Sequence, residues 1–142
     1  MQPSAQPGLT RFARHLFTAL LLAQLILPLF FTLQIVLVWI GADALVVAPG
    51  RARAIVQETP LPAIFAPILR SGLIMAMLYT HYRAPRWTLR LLIASLLIHI
   101  VGWTSIIGNP YFDAPTGYVT LAIGSALLIL LMLNPALQKP RA

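Results

Sequence analysis

The chain has 142 residues, a net charge of +7 and no cysteine, and 59% of its residues are hydrophobic against 9% charged. An ordinary soluble domain carries roughly 25% charged residues, and one this short keeps too much surface exposed to hide so many apolar side chains from water. The composition therefore excludes an ordinary soluble domain and predicts an integral membrane protein, while the lack of cysteine excludes disulfides, thiolate metal sites and thiol redox chemistry.

The first predicted element is a polar, proline-containing tail at residues 1–10, which we expect to be disordered. A long apolar run follows, and residues 16–42 contain no formally charged side chain. A cleaved signal peptide has an apolar region of only about 7–15 residues, so a retained membrane helix at about residues 16–40 is the better interpretation. Its length of about 37 Å exceeds the ~30 Å hydrocarbon core, and tilting or a bend at Pro28 would absorb the difference.

The second predicted span, at about residues 63–82, follows a long connection in which the stretch RARAIVQE could form one or two helical turns at the membrane surface. This span is the least regular, because proline, arginine and glycine interrupt it at positions 67, 70 and 72. The uncharged stretch 71–80 is too short to cross a membrane alone. We therefore expect Arg70 to lie inside the span or just under its outer surface.

The third predicted span, at about residues 91–108, follows a short basic turn, and the fourth, at about residues 117–134, follows a turn rich in Asn, Pro, Asp and Gly. Pro135 ends the last span, and residues 137–142 form an exit tail. Four helices with short links predict an all-α, up-down-up-down four-helix transmembrane bundle over residues 11–136.

The distribution of basic residues predicts the orientation of this bundle, because Lys and Arg in short loops favour the cytoplasmic side of a membrane. With the N-terminus inside, most of the ten basic residues fall on the cytoplasmic side, and all three acidic residues fall outside. The basic residues on that side are Arg11, Arg14, Arg83, Arg86, Arg90, Lys139 and Arg141. We therefore predict a multi-pass protein of a bacterial inner membrane with both termini cytoplasmic.

Arg70 is the most unusual residue of the predicted spans. A charge inside a membrane costs roughly 2.5–3.5 kcal/mol on insertion scales, so it usually has a partner. One hypothesis is that the side chain extends outward to lipid head groups. A second is an ion pair with Asp43, Glu58 or Asp113, and a third is contact with a substrate or another ligand, for which arginine favours anions.

Polar residues on the first and third spans form a second group of candidates. Ser95, His99 and Gly102 follow helical spacing, which predicts a stripe facing the bundle interior, where small residues allow close approach and histidine donates a hydrogen bond. Gln24 lies on one polar face of the first span, and Gln34 lies at the edge of that face. Hydrogen bonding between helices is the simpler role for these residues, and proton transfer, ligand binding or a polar substrate path is the alternative.

The three histidines do not predict a haem site. His99 lies at mid-membrane, whereas His15 and His81 lie at the predicted inner boundary, so His99 and His81 differ in depth by about 15 Å. His15 and His81 could face each other only at the water interface. The spans contain no carboxylate to support a metal site. We therefore predict no cofactor and no metal.

A non-enzymatic role is the expected function, because the sequence contains no Walker, G-x-S-x-G or HExxH motif and no acid pair. The leading hypothesis is an accessory or assembly subunit of a membrane complex, since small-residue faces such as Gly117, Thr120 and Gly124 suit helix packing or a homo-oligomer. The alternatives are a membrane immunity protein against a toxin, by analogy alone, and a small transporter or channel component in which Arg70 contacts an anion.

The expected partners follow from the same pattern. The lipid bilayer is one, and other membrane-protein subunits or further copies of the chain are the others. Nucleic acid is not expected, because the basic residues occur in short clusters between long apolar runs.

Overall fold

The computed structural model describes residues 7–138, which form five α-helices and no strand. The helices are α1 (Pro7–Trp39), α2 (Pro49–Glu58), α3 (Leu61–Arg83), α4 (Thr88–Thr104) and α5 (Ala114–Leu133). Short 3-10 turns lie at Asp43–Leu45, Pro85–Trp87 and Pro135–Gln138. Four stretches are long and apolar enough to span a membrane: Thr10–Trp39, Leu61–Arg83, Pro85–Thr104 and Ala114–Leu133. The predicted number of apolar spans is therefore confirmed.

The start of α1 differs from the predicted boundary. Residues 7–10 are helical, although the sequence assigned them to a disordered tail. A proline at position 7 suits the first turn of a helix, because its missing N–H has no intrahelical partner to lose there. The rest of the predicted N-terminal tail, residues 1–6, lies outside the described residues, as do Lys139 and Arg141 of the predicted exit tail.

The connection between α4 and α5 begins earlier than the sequence indicated. α4 ends at Thr104, and the chain then turns through Gly108, which has a φ of +86° that favours glycine. The hydroxyl groups of Thr104 and Ser105 donate to helix carbonyl oxygens at 2.7 Å, which satisfies acceptors near the helix end. Asp113 then caps α5, because its side chain accepts a hydrogen bond from the backbone N–H of Thr116.

The stretch RARAIVQE lies in α2, which confirms the predicted helical turns in the first connection. α2 follows Ala48, whose φ of 49° redirects the chain, and no residue of α2 is buried. It packs on α1. The segment is therefore a short surface helix beside the long ones.

One half of the structure is filled by apolar side chains, which we call the apolar cluster. Its members are Ala13, Phe17, Leu21, Ile74, Met77, Leu92, Leu127, Leu131 and Leu137. All of them except Ala13 are fully buried. The ring of Phe17 also packs on the ring of His81, with centroids 4.6 Å apart. All four long helices contribute, so this cluster holds them together.

Small residues allow close helix contacts in the other half. A Cβ atom added to Gly102 of α4 would lie 2.3 Å from the Cβ of Ala66 in α3, and one added to Gly117 of α5 would lie 2.0 Å from the Trp103 ring. Gly124 meets Leu96 in the same way. The small-residue face of α5 therefore packs within the chain.

Candidate functional site

Polar side chains from the long helices meet inside the structure, away from the apolar cluster. We call this group the polar cluster: Gln24 of α1, Arg70 of α3, His99 of α4, and the carbonyl groups of Gly117 and Thr120 in α5. Gln24 and Arg70 are each only 4% exposed. The structure thus brings together three of the candidates that the sequence singled out on separate spans.

Arg70 is held in this cluster by neutral groups. Its NH1 group donates to Nδ1 of His99 at 3.2 Å, and its NH2 group donates to Oε1 of Gln24 at 3.4 Å. The Nε–H group is buried and has no hydrogen-bond partner among residues 7–138. The hypothesis of an arginine extending outward to head groups is therefore wrong, because the side chain is buried.

None of the three carboxylates proposed as ion-pair partners of Arg70 forms an ion pair with it. Asp43 pairs with Arg53, in the one ion pair formed within the described part of the chain. Asp113 is occupied in capping α5, and Glu58 is an exposed residue at the end of α2. The predicted ion pair is thus corrected: Arg70 bonds to an imidazole and an amide, because its position in α3 faces α1 and α4 rather than the loops.

The hydrogen bonds around His99 assign its tautomer. The guanidinium of Arg70 can only donate, so Nδ1 of His99 accepts. The carbonyl oxygen of Gly117 can only accept, so Nε2 of His99 donates to it, at 3.2 Å. The neutral ring with its proton on Nε2 satisfies both contacts. The ring also stacks on Trp103, with centroids 6.1 Å apart and an angle of 5° between the planes.

Gln24 connects three helices through its side-chain amide. Its Nε2 donates to the Thr120 carbonyl oxygen of α5 at 2.8 Å, while its Oε1 accepts from Arg70 of α3. An amide suits this position because it offers both a donor and an acceptor. These bonds support the interpretation of Gln24 as an interhelical hydrogen-bonding residue.

Gln34 and Ser95 do not join the polar cluster. Oε1 of Gln34 accepts from the backbone N–H of Val47 at 2.8 Å, which ties α1 to the segment before α2. Ser95 is 1% exposed, and its hydroxyl has no hydrogen-bond partner within residues 7–138. Ser95 and Gly102 are both buried, which confirms that their stripe of α4 faces inward.

A hydroxyl pair near Arg70 was not identified from the sequence. The side chains of Thr32 and Ser71 lie 3.2 Å apart and link α1 to α3. Their two protons are shared among this contact and the carbonyl oxygens one turn earlier, that of Pro28 at 2.6 Å from the Thr32 hydroxyl and that of Pro67 at 2.8 Å from the Ser71 hydroxyl. The signal that could have found the pair is the shared spacing of proline and a hydroxyl residue four positions later on both helices.

A partly open cavity of about 420 Å³ adjoins the polar cluster. Its volume is within the ~300–1,000 Å³ typical of small-molecule sites, which are mostly apolar with a few placed polar groups. Arg70, His99 and Thr120 line it. The rest of the wall is largely apolar and includes Phe30, Phe31, Ile35, Ile55, Ile64 and Ile106.

Polar residues outside the long apolar helices also line this cavity. Arg51 of α2 and Tyr111 of the α4–α5 connection are two of them. Desolvation and the nearby Glu58 carboxylate, which accepts a hydrogen bond from the phenol, raise the pKa of Tyr111. The one proton of its hydroxyl is therefore held by Glu58.

The described residues contain no group of three or more His, Cys, Asp or Glu side chains that could hold a metal ion. The histidines have different surroundings: His15 is exposed on α1, His81 packs on Phe17 in the apolar half, and His99 bonds Arg70.

Comparison of the chain with protein-family models, with curated proteins and with solved structures finds no match. The chemistry of the cavity and the polar cluster is therefore the basis for a functional proposal.

Proposed function

We propose that this chain is a membrane-embedded binding protein for an anionic ligand, of the transporter or channel-component class, with Arg70 as the anion-contacting residue. One observation carries the proposal: a buried arginine lines a cavity, and no carboxylate of residues 7–138 is within ion-pair distance of it. A buried charge without a counter-ion is costly, and an anion in the cavity would relieve that cost.

The free hydrogen-bonding capacity of Arg70 supports the same ligand chemistry. A guanidinium has five N–H donors. In Arg70 the NH1 and NH2 groups each donate to one neutral acceptor, and the Nε–H has no hydrogen-bond partner within residues 7–138. Carboxylate, phosphate and sulfonate groups accept from the guanidinium fork through two parallel bonds. His99 and the Thr120 hydroxyl line the same cavity and are suited to orienting such a group.

Thermal unfolding of the purified chain in detergent tests the proposal. We expect at least one anion from a panel of chloride, acetate, inorganic phosphate and decanoate to raise the Tm, because a ligand at a hundred times its Kd stabilises by about 2.7 kcal/mol. The shift should disappear in Arg70→Gln and persist in Arg53→Gln, a matched control whose arginine does not line the cavity. A Tm that no anion changes would contradict the proposal.

An up-down arrangement in a bacterial inner membrane, with both termini cytoplasmic, is part of this proposal. The basic residues of the α3–α4 turn support it. The chain has no cysteine, so single variants report cleanly: Arg53→Cys should react with an impermeant maleimide in intact cells, and Arg86→Cys only after permeabilisation. The reverse pattern would overturn the orientation.

The proposed role is binding rather than catalysis. The accessory-subunit and toxin-immunity hypotheses stay predictions, and no contact within residues 7–138 favours one over the other. Purification in mild detergent tests the accessory-subunit hypothesis, because an accessory subunit should co-purify with the other subunits of its complex.

A further inference from the structure

We infer that the ligand is a single-chain amphiphile, with one anionic head group at Arg70 and an apolar body in the cavity, and that it enters from the lipid. The inference rests on the proposed anion site. It adds the chemical class of the ligand and its route, both of which follow from how polar and apolar groups divide the cavity wall.

The wall contains residues of the polar cluster together with a few other polar residues, such as Gln34, Arg51, Asp113 and Thr116. Arg70, His99 and Thr120 come from three different helices and meet at the polar cluster. The rest of the wall is largely apolar, with aromatic and aliphatic side chains such as those of Phe30 and Ile64. A small hydrated anion would leave that apolar wall in contact with water, whereas a hydrocarbon chain would cover it.

The apolar wall is continuous with the outer surface of α1. Leu27, Phe30 and Phe31 line the cavity and are also 41%, 44% and 46% exposed. In a membrane this exposed surface of α1 faces hydrocarbon. The hydrocarbon chain of an amphiphile can therefore enter the cavity from the bilayer. Its head group then leaves the membrane surface and binds Arg70.

The size of the cavity favours a ligand with one chain. A cavity of about 420 Å³ is in the lower part of the range for drug-sized ligands, which suits a single-chain amphiphile such as a twelve-carbon fatty acid better than a phospholipid with two acyl chains. Arg70 is the one buried cation in the described wall, since Arg51 is exposed. One buried charge favours a singly charged head group.

The test uses Trp103, which lines the cavity, whereas Trp39 and Trp87 are not in its wall. A chain with Trp39→Phe and Trp87→Phe is placed in phosphatidylcholine nanodiscs and titrated with 2-bromododecanoic acid, whose bromine quenches tryptophan on contact. The electron-withdrawing bromine lowers the pKa of the carboxyl group, which keeps the acid ionised at neutral pH. Its neutral methyl ester is the matched probe.

We expect the acid to quench Trp103 at a mole fraction at least tenfold lower than the ester. Arg70→Gln should remove this preference and Arg70→Lys should retain part of it, which separates loss of the charge from loss of the fold. A chain that keeps only Trp39, which lies outside the cavity wall and away from the basic α3–α4 turn, should respond equally to both probes. Equal quenching of Trp103 by acid and ester would overturn the inference.

Comparing the Tm shifts from small anions with the quenching data distinguishes the amphiphile inference from the proposed anion site. If acetate or inorganic phosphate raises the Tm through Arg70 while the brominated acid shows no preference over its ester, the anion site stands and the amphiphile class is wrong. If no anion of either kind acts through Arg70, both proposals fail.

Discussion

The apolar cluster and the polar cluster are built from the same four long helices but differ in what fills the space between them. In the apolar cluster, residues such as Phe17, Leu92 and Leu127 are fully buried against one another. In the polar cluster, hydrogen bonds of 2.8–3.4 Å replace that packing and a cavity of about 420 Å³ remains. Since helix association in lipid depends on close packing rather than on the hydrophobic effect, we expect the filled half to supply stability and the half with the cavity to supply the proposed binding site.

The largest effect on stability should come from removing a buried side chain of the apolar cluster. Phe17→Ala removes a fully buried ring of the apolar cluster and should lower the free energy of unfolding by about 3–5 kcal/mol, measured by denaturation in mixed micelles. Phe12→Ala on the same helix is the control, because Phe12 is 65% exposed. Equal losses in the two variants would contradict the division into a filled and an open half.

A smaller effect should come from overfilling the close contact beside the polar cluster. Gly117→Ala places a methyl group 2.0 Å from the Trp103 ring and should cost about 1–3 kcal/mol, with a shift in tryptophan emission. Gly72→Ala meets nothing within 4 Å and should be neutral or slightly stabilising, because alanine is the better helix former. A neutral Gly117→Ala would show that Trp103 packs elsewhere.

The spans and the inward face of α4 could be predicted from the sequence. Long uncharged runs identify the spans, and the inward stripe of Ser95 and Gly102 follows from helical spacing. The boundaries were less accurate where local chemistry decides them. Hydroxyl groups and Gly108 end the α4 segment before the predicted residue 108.

The polar cluster could be predicted only in part. Gln24, Arg70 and His99 were recognised as unusual, but their meeting depends on how α1, α3 and α4 rotate about their axes, which spacing within one helix does not determine. The acidic residues of the loops were therefore a reasonable expectation for Arg70, and they proved to be the wrong partners. The cavity also escaped prediction, because its wall combines residues from all five helices.

The smallest stability effect among the packing predictions should come from the hydrogen bonds of Gln24. Gln24→Met keeps the length of the side chain and removes the bonds to the Thr120 carbonyl and to Arg70, which should cost about 0.6 kcal/mol for each bond. Gln57→Met on the exposed face of α2 is the control and should change little. A loss as large as that of Phe17→Ala would mean that the polar cluster, too, is a main source of stability.

The most direct test of the account is the free energy of unfolding of Arg70→Met, measured with and without an anion that stabilises the wild-type chain. A buried charge without a counter-ion is costly, and an apolar side chain of similar length at the same position removes that cost. We therefore predict that Arg70→Met unfolds within about 1 kcal/mol of the wild type, or is more stable, in the absence of anion, and that it gains nothing when the anion is added. A variant that loses several kcal/mol and still responds to the anion would contradict the account, because Arg70 would then serve the fold and not the ligand.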